Sequence, residues 1–237
     1  MNAHLDQISS HNFPILTFFS IQSTAMGRIS EGEGLPFASV VRQMPTLKYL
    51  AMHDFSHLGR QYTRLELDWE NLTELTLRPQ PSSYREAIPQ FSPGEIQTIL
   101  RRTCRLQSVT LLIDISEWDH ASTNNTAMVN LPAMRDMHIT FTHPRRNQDL
   151  SLLKTFLPNF FHSILCPSLK KLSASWKVLG GTALTQVPFS ALVSLQEVEV
   201  LSLEMPLTPR ALLDCLLLMP SLRSLEIVRL QQDCDNR

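Results

Sequence analysis

Eight triplets spread along this chain have an apolar residue followed by apolar residues three and five positions later. That spacing restricts the fold more than any other feature. The triplets are Leu16/Phe19/Ile21, Leu47/Leu50/Met52, Leu72/Leu75/Leu77, Leu106/Val109/Leu111, Met134/Met137/Ile139, Leu169/Leu172/Ala174, Leu195/Val198/Val200 and Leu222/Leu225/Ile227. Three of them sit in a longer shared string, Met44-Pro45-Thr46-Leu47-Lys48-Tyr49-Leu50, Cys166-Pro167-Ser168-Leu169-Lys170-Lys171-Leu172 and Met219-Pro220-Ser221-Leu222-Arg223-Ser224-Leu225. On a strand the last two positions of a triplet point to one face, because side chains alternate. The first, three residues earlier, fills the turn into that strand. Each unit therefore has an apolar face that it cannot bury alone, and stacking on its neighbours buries it.

Successive first positions lie 31, 25, 34, 28, 35, 26 and 27 residues apart, around the upper end of the roughly 20–29-residue leucine-rich period. The fold expected is α/β: a leucine-rich-repeat solenoid of about eight irregular units, with a curved parallel sheet on the concave side and helices on the convex side. The connections supply the helices. Ser92-Pro93-Gly94-Glu95 reads as an N-cap, a first-position proline and a capping-box Glu, with Ile96, Ile99 and Leu100 following at helical spacing. Thr208-Pro209 opens a helix whose inward stripe is Leu212, Leu213, Leu216 and Met219, and Pro36 opens one with Phe37, Val40, Val41 and Met44. The longest is expected from Asp149 to Leu165, carrying Phe156, Phe160, Phe161 and Ile164 and interrupted at Pro158. Little helix is expected between Val178 and Ala191. Polar stretches at 27–34, 78–90 and 117–126 read as surface loops, too short for domain linkers. Residues 1–237 thus form one domain.

Composition narrows the class. Of 237 residues, 43% are hydrophobic and 18% charged, a balance that fits neither disorder nor a membrane class. A net charge of −1 gives no global field to attract nucleic acid or an anionic lipid surface. Cys104, Cys166, Cys215 and Cys234 form no C-x-x-C pair. They read as small buried hydrophobes in a reducing compartment rather than as a disulfide framework or a zinc cluster. The N-terminus lacks a basic signal region, and the apolar run from Phe13 to Ile21 contains Pro14 and is too short to span a bilayer. An intracellular protein, cytoplasmic or nuclear, is expected.

The clusters that offer chemistry are weak. His53-Asp54-x-x-His57 places two imidazoles and a carboxylate just after a strand, the makings of a metal-dependent hydrolase. No acidic third ligand is placed by the spacing, and the segment reads as a solvated loop. Asp114, Glu117, Asp119 and His120 lie on a polar insertion, which does not hold paired carboxylates at a fixed distance. There is no G-x-S-x-G, G-x-G-x-x-G or G-x-x-x-x-G-K-[ST]. His143-Pro144-Arg145-Arg146 is a small basic turn without interleaved aromatics, and Gly180-Gly181 reads as a tight turn. The reading is therefore non-catalytic, with no catalytic or metal-binding residues and no cofactor.

What the array does create is a surface. Residues at the second, fourth and sixth places after each first apolar position point away from the core. They are Tyr49, Ala51 and His53; Glu74, Thr76 and Arg78; Asp136, His138 and Thr140; Lys171, Ser173 and Ser175; and Glu197, Glu199 and Leu201. The candidate protein-binding strip drawn from them is Tyr49, His53, Glu74, Arg78, Asp136, His138, Lys171, Glu197 and Glu199. Its signs are mixed, which suits a protein partner better than a single-sign polymer.

The P-[ST]-L-[RK]-x-L units, the run Trp69-Glu70-Asn71-Leu72-Thr73-Glu74-Leu75, and Ile99-Leu100-Arg101-Arg102-Thr103-Cys104-Arg105-Leu106 resemble the leucine-rich repeats of fungal F-box proteins. The resemblance runs from about Phe13 to Leu230. It implies a protein that holds substrates for a ubiquitin ligase, recruited through an F-box that binds the Skp1 adaptor of a cullin. The residues before Phe13 are too few for that three-helix module, which puts Skp1 and cullin recruitment in doubt and leaves only the recognition half. Neither terminus reads as a polar capping unit, so either the chain is a segment of a longer repeat protein or its ends are exposed. The partner expected is another protein, with neither nucleic acid nor membrane.

Overall fold

The computed structural model describes residues 15–22, 44–53, 67–78, 93–114, 128–143, 158–178, 189–190, 192–205 and 207–228. Eight strands form one sheet: β1 (Phe18–Gln22), β2 (Tyr49–His53), β3 (Glu74–Arg78), β4 (Ser108–Asp114), β6 (Asp136–His143), β8 (Lys171–Val178), β9 (Val200–Glu204) and β10 (Ser224–Ile227). They lie side by side in that order, and every pairing is parallel. Two short strands, β5 (Val129–Asn130) and β7 (Ile164–Leu165), form a second parallel pair. The described helices are α1 (Pro93–Leu100) and α2 (Pro209–Leu217), with a helical turn at 158–162 and 3-10 turns at Trp69–Asn71 and Val193–Glu197. This is an α/β architecture with few helices. Parallel neighbours cannot be joined by a hairpin, which is why each strand is followed by a long connection.

The strands are entered through one repeated device. In seven units the residue three before the first apolar position accepts a hydrogen bond from that position's N–H. Thus Leu47 bonds to Met44, Leu72 to Trp69, Leu106 to Thr103, Met134 to Leu131, Leu169 to Cys166, Val198 to Leu195 and Leu222 to Met219, at 3.1–3.3 Å. The next carbonyl along then accepts two N–H groups from the following unit. Thr17 O receives Lys48 and Tyr49, Lys48 O receives Thr73 and Glu74, and the pattern continues to Glu199 O, which receives Arg223 and Ser224. A turn that satisfies its own backbone, and whose apolar corners are hidden, can recur indefinitely. Thr103 is the polar exception among the corners. It is buried, and its hydroxyl donates to Leu100 O at 3.0 Å.

Register carries the columns of the core. Leu50, Leu75, Val109, Met137, Leu172 and Leu201 are aligned across the sheet, as are Met52, Leu77, Leu111, Ile139, Ala174 and Leu203. All are buried in one hydrophobic core that extends from Met44 to Met219. β4, β6 and β8 are longer and add a third column, Ile113–Phe141–Trp176. Phe141 meets Trp176 at 5.8 Å and Phe161 at 5.9 Å between ring centroids, and Phe161 meets Phe160 and Phe189 at 5.3 and 6.2 Å. These edge-on and tilted pairs are the favoured aromatic geometry.

Several expectations are corrected. The seventh unit is framed on Val198/Leu201/Leu203, not Leu195/Val198/Val200, since Leu172 pairs with Leu201 and Ala174 with Leu203. An offset of three residues exchanges the two faces of a strand, and Leu201, expected outward, is fully buried. The helix expected to end at Leu165 stops at 162, and Ile164–Leu165 is strand β7, paired with Val129–Asn130. On α2 the buried residues are Ala211 and Cys215, with Leu212 and Leu216 packed beside them; Leu213 faces outward. The two helix starts hold: α1 begins at Pro93, and Thr208 caps α2, its side chain accepting from Ala211 N at 3.2 Å. The helix expected from Pro36, apart from Met44, the first part of that expected from Asp149, the loops at 27–34 and 117–126, all of the loop at 78–90 but Arg78, and all of the 178–191 connection but Val178, Phe189 and Ser190 lie outside the described residues.

Candidate functional site

One face of the eight-strand sheet packs on the core. The opposite face is made by the alternate residues and carries three rows. The first row begins each strand: Phe18, Tyr49, Glu74, Ser108, Asp136, Lys171, Val200 and Ser224. The second row is dominated by small polar side chains, Ser20, Ala51, Thr76, Thr110, His138, Ser173, Ser202 and Glu226 in register. His53, Arg78, Leu112, Thr140, Ser175 and Glu204 belong to the third row.

Of the nine residues in the expected strip, seven lie on this face. Tyr49 begins β2 and stacks on Phe18, with 4.3 Å between centroids and 5° between planes. His53 and Arg78 end β2 and β3 as register partners. Glu74 is exposed at the start of β3. Asp136 and Lys171 are register partners joined by an ion pair of 3.7 Å. His138 is half-buried in the middle of β6. Mixed charge is therefore arranged strand by strand rather than as one patch.

Glu197 and Glu199 do not belong to the strip. Glu197 closes the 3-10 turn and Glu199 precedes β9. They take Lys170 Nζ at 3.2 and 3.3 Å, and Arg223 reaches Glu199 at 3.7 Å. The hydrogen bonds from Lys170 to Glu197 and Glu199 raise the lysine's pKa above its ordinary value. This network borders the beginning of the strands, and in its solvated setting it contributes little to stability.

No protein-family model matches this sequence, and no curated protein matches it significantly.

Strand positions missed from the sequence follow from the corrected seventh frame. Val200, Ser202 and Glu204 are the outward residues of β9. Ser175 Oγ donates to Glu204 Oε2 at 2.6 Å, and Ser202 Oγ donates to Glu226 Oε2 at 3.0 Å. Two serine–glutamate bridges thus tie β8 to β9 and β9 to β10 across the face. Ala51, Thr140 and Ser175, expected to be outward and solvated, are on this face but buried. The signal that locates the frame is the corner residue three before each unit, occupied by Met44, Trp69, Thr103, Leu131, Cys166, Leu195 and Met219.

Among the described residues no group of three His, Cys, Asp or Glu side chains could hold a metal ion. His57 and the acidic run Glu117, Asp119 and His120 lie outside the described residues, as do Arg145, Arg146 and Gly180-Gly181. Cys166 and Cys215 are buried free thiols, and desolvation pushes their pKa values up to about 12 and about 11. Both are protonated at neutral pH, and the thiolate is the form that attacks or binds metal. Cys104 is exposed, contrary to its expected burial. No helix among the described residues is long and apolar enough to cross a membrane.

Proposed function

We propose that this chain is a leucine-rich-repeat solenoid serving as a non-catalytic protein-interaction scaffold inside the cell. It resembles the substrate-recognition repeats of fungal F-box proteins, and the outward face of the eight-strand sheet is its contact surface. The observation that carries the reading is that face: rows of polar and charged side chains, in register over eight parallel strands, opposite a continuous apolar core. Supporting the repeat reading are the seven equivalent corner hydrogen bonds and the two-donor ladder between successive units. A rigid sheet presents side chains at fixed spacing, about 4.8 Å between strands, so an extended partner can be read without ordering the receptor first. Alternating charge gives specificity and association rate more than raw affinity. Small residues in the middle row leave room for a partner's side chains between the flanking rows.

The test is affinity capture from native extract with the parent chain and two variants. The face variant carries Tyr49→Ala, Glu74→Lys and Lys171→Glu; the control carries Lys170→Ala and Arg223→Ala at the border. The reading expects a protein retained by the parent and the control and lost from the face variant. A partner retained equally by all three refutes the face as the contact surface. Cullin or adaptor subunits in the captured set would extend the resemblance to ligase recruitment.

A further inference from the structure

Thr140 stands in the third row of the outward face, on β6, and is only 8% exposed. Among the described residues its hydroxyl has no hydrogen-bond partner. The hydroxyls of Thr73, Thr98, Thr103 and Thr142, by contrast, each donate to a backbone carbonyl. A buried hydroxyl without a partner is costly, and valine offers the same shape and suits a strand. For the stability of the single chain valine would be the better residue at 140, and the oxygen there calls for another reason.

Its surroundings supply one. The register partner of Thr140 is Ser175 on β8, itself buried, and Ser175 pairs in turn with Glu204 on β9. Ser175 Oγ donates to Glu204 Oε2 at 2.6 Å. The serine's proton is thus committed, while its oxygen can still accept. Among the described residues no cation pairs with Glu204: Lys170, Lys171, Arg210 and Arg223 are engaged with Glu197, Glu199, Asp136 and Asp214. Three adjacent strands therefore bring together two hydroxyl oxygens and a carboxylate, all acceptors, with one uncompensated negative charge.

We infer that Thr140, Ser175 and Glu204 bind a primary ammonium, and that a protein partner presents a lysine side chain to them; the second half rests on the proposed function. An ammonium carries three divergent N–H donors and no acceptor. One is directed to Thr140 Oγ1, one to Ser175 Oγ and one to the Glu204 carboxylate, whose charge it neutralises. The spacing suits it. Neighbouring strands lie about 4.8 Å apart, and a tetrahedral nitrogen with hydrogen bonds of about 2.9 Å spans two acceptors at that separation. A guanidinium fits less well, because its planar fork seeks both oxygens of one carboxylate, and Ser175 already holds one of the two on Glu204.

The probes are butylammonium and a capped Gly-Lys-Gly peptide, titrated into the full chain and followed by the backbone amide NMR shifts of β6, β8 and β9. Ionic strength is held constant with tetramethylammonium chloride, which carries the charge without an N–H. Both probes are expected to give saturable shifts centred on Thr140, Ser175 and Glu204, and the acetyl-lysine form of the peptide none. Thr140→Val and Glu204→Gln should each weaken binding about tenfold or more, the scale of one hydrogen bond to a charged group. Glu226→Gln, on the neighbouring strand, should leave it unchanged. Thr140→Val is also expected to melt no lower than the parent, because it discards an unbonded hydroxyl. Absence of saturable shifts with either amine overturns the inference, and so do equal shifts with potassium or with acetyl-lysine. A lower melting point for Thr140→Val overturns it too, since the hydroxyl would then be bonded within the chain. Loss of amine binding with a partner still captured through the face strikes this inference alone. Amine binding with no partner captured upholds the ammonium site and counts against the proposed function.

Discussion

Leu75 and Leu225 hold the same place in their units, yet Leu75 is 1% exposed and Leu225 is 41% exposed. Truncating each to alanine weighs what a neighbouring unit contributes. Leu75 lies in register between Leu50 and Val109 on strands bonded on both sides, so the site has little freedom to collapse, and the loss belongs in the upper part of the ~2–5 kcal/mol range for buried Leu→Ala. Among the described residues Leu225 has a register partner on one side only, and at 41% exposure its truncation leaves no closed cavity. Scaling the ~1.5–3 kcal/mol of a fully buried leucine by its partial burial gives about 1–2 kcal/mol. The assay is urea unfolding followed by tryptophan fluorescence, at one low protein concentration for all variants. With a urea slope of about 2–3 kcal/mol/M, Leu75→Ala should lower the midpoint by about 1–2.5 M and Leu225→Ala by about 0.3–1 M. Equal shifts would mean that β10 is as well covered in the single chain as β3, and would refute the reasoning.

Three further outcomes are expected. Leu201→Ala should cost about 2–5 kcal/mol in the same unfolding assay, whereas Val200→Ala should cost less than about 1 kcal/mol; the reverse order would restore the rejected frame of the seventh unit. Thr208→Ala should destabilise by about 1 kcal/mol through loss of the α2 cap, and Thr208→Ser should recover most of it. In a Cys234→Ser background, a thiol reagent at about pH 8 should label Cys104 quickly and leave Cys166 and Cys215 protected until the chain is unfolded. Burial raises both thiol pKa values, so moderate alkalinity leaves them protonated. Rapid labelling of three thiols in the folded protein would contradict that burial.

The eight strands were legible because stacking imposes the apolar spacing on every unit alike, and a chain must repeat it to bury each face. The seventh unit was not, because Leu192, Leu195, Val198 and Leu201 recur every three residues. A slip of three keeps apolar residues at the first two places, and Val200 stands in for Leu203 at the last. Only pairing with β8 separates the two frames. On α2 the strongest hydrophobes misled, since small Ala211 and Cys215 lie closest to the core while Leu213 does not. The corner residues were hidden by their variety: Met44, Trp69, Thr103 and Cys166 share a backbone role, not a side-chain type. The outward face is the least legible part, because a strand residue that meets a partner and one that meets water are drawn from the same polar set.

Cross-linking of cysteine pairs tests the shared register directly. With the four native cysteines replaced by serine, paired substitutions are placed on the outward face. Neighbouring strands lie about 4.8 Å apart and a disulfide needs roughly 4.4–6.8 Å between Cα atoms, so only adjacent register partners can close. Thr76→Cys with Thr110→Cys, Thr110→Cys with His138→Cys, and Ser173→Cys with Ser202→Cys should link rapidly under mild oxidation. Thr76→Cys with His138→Cys, two strands apart, and Ser173→Cys with Glu199→Cys should not. Fast closure of either of the last two pairs, or failure of the first three, would contradict a single sheet in which every unit meets the next in the same way.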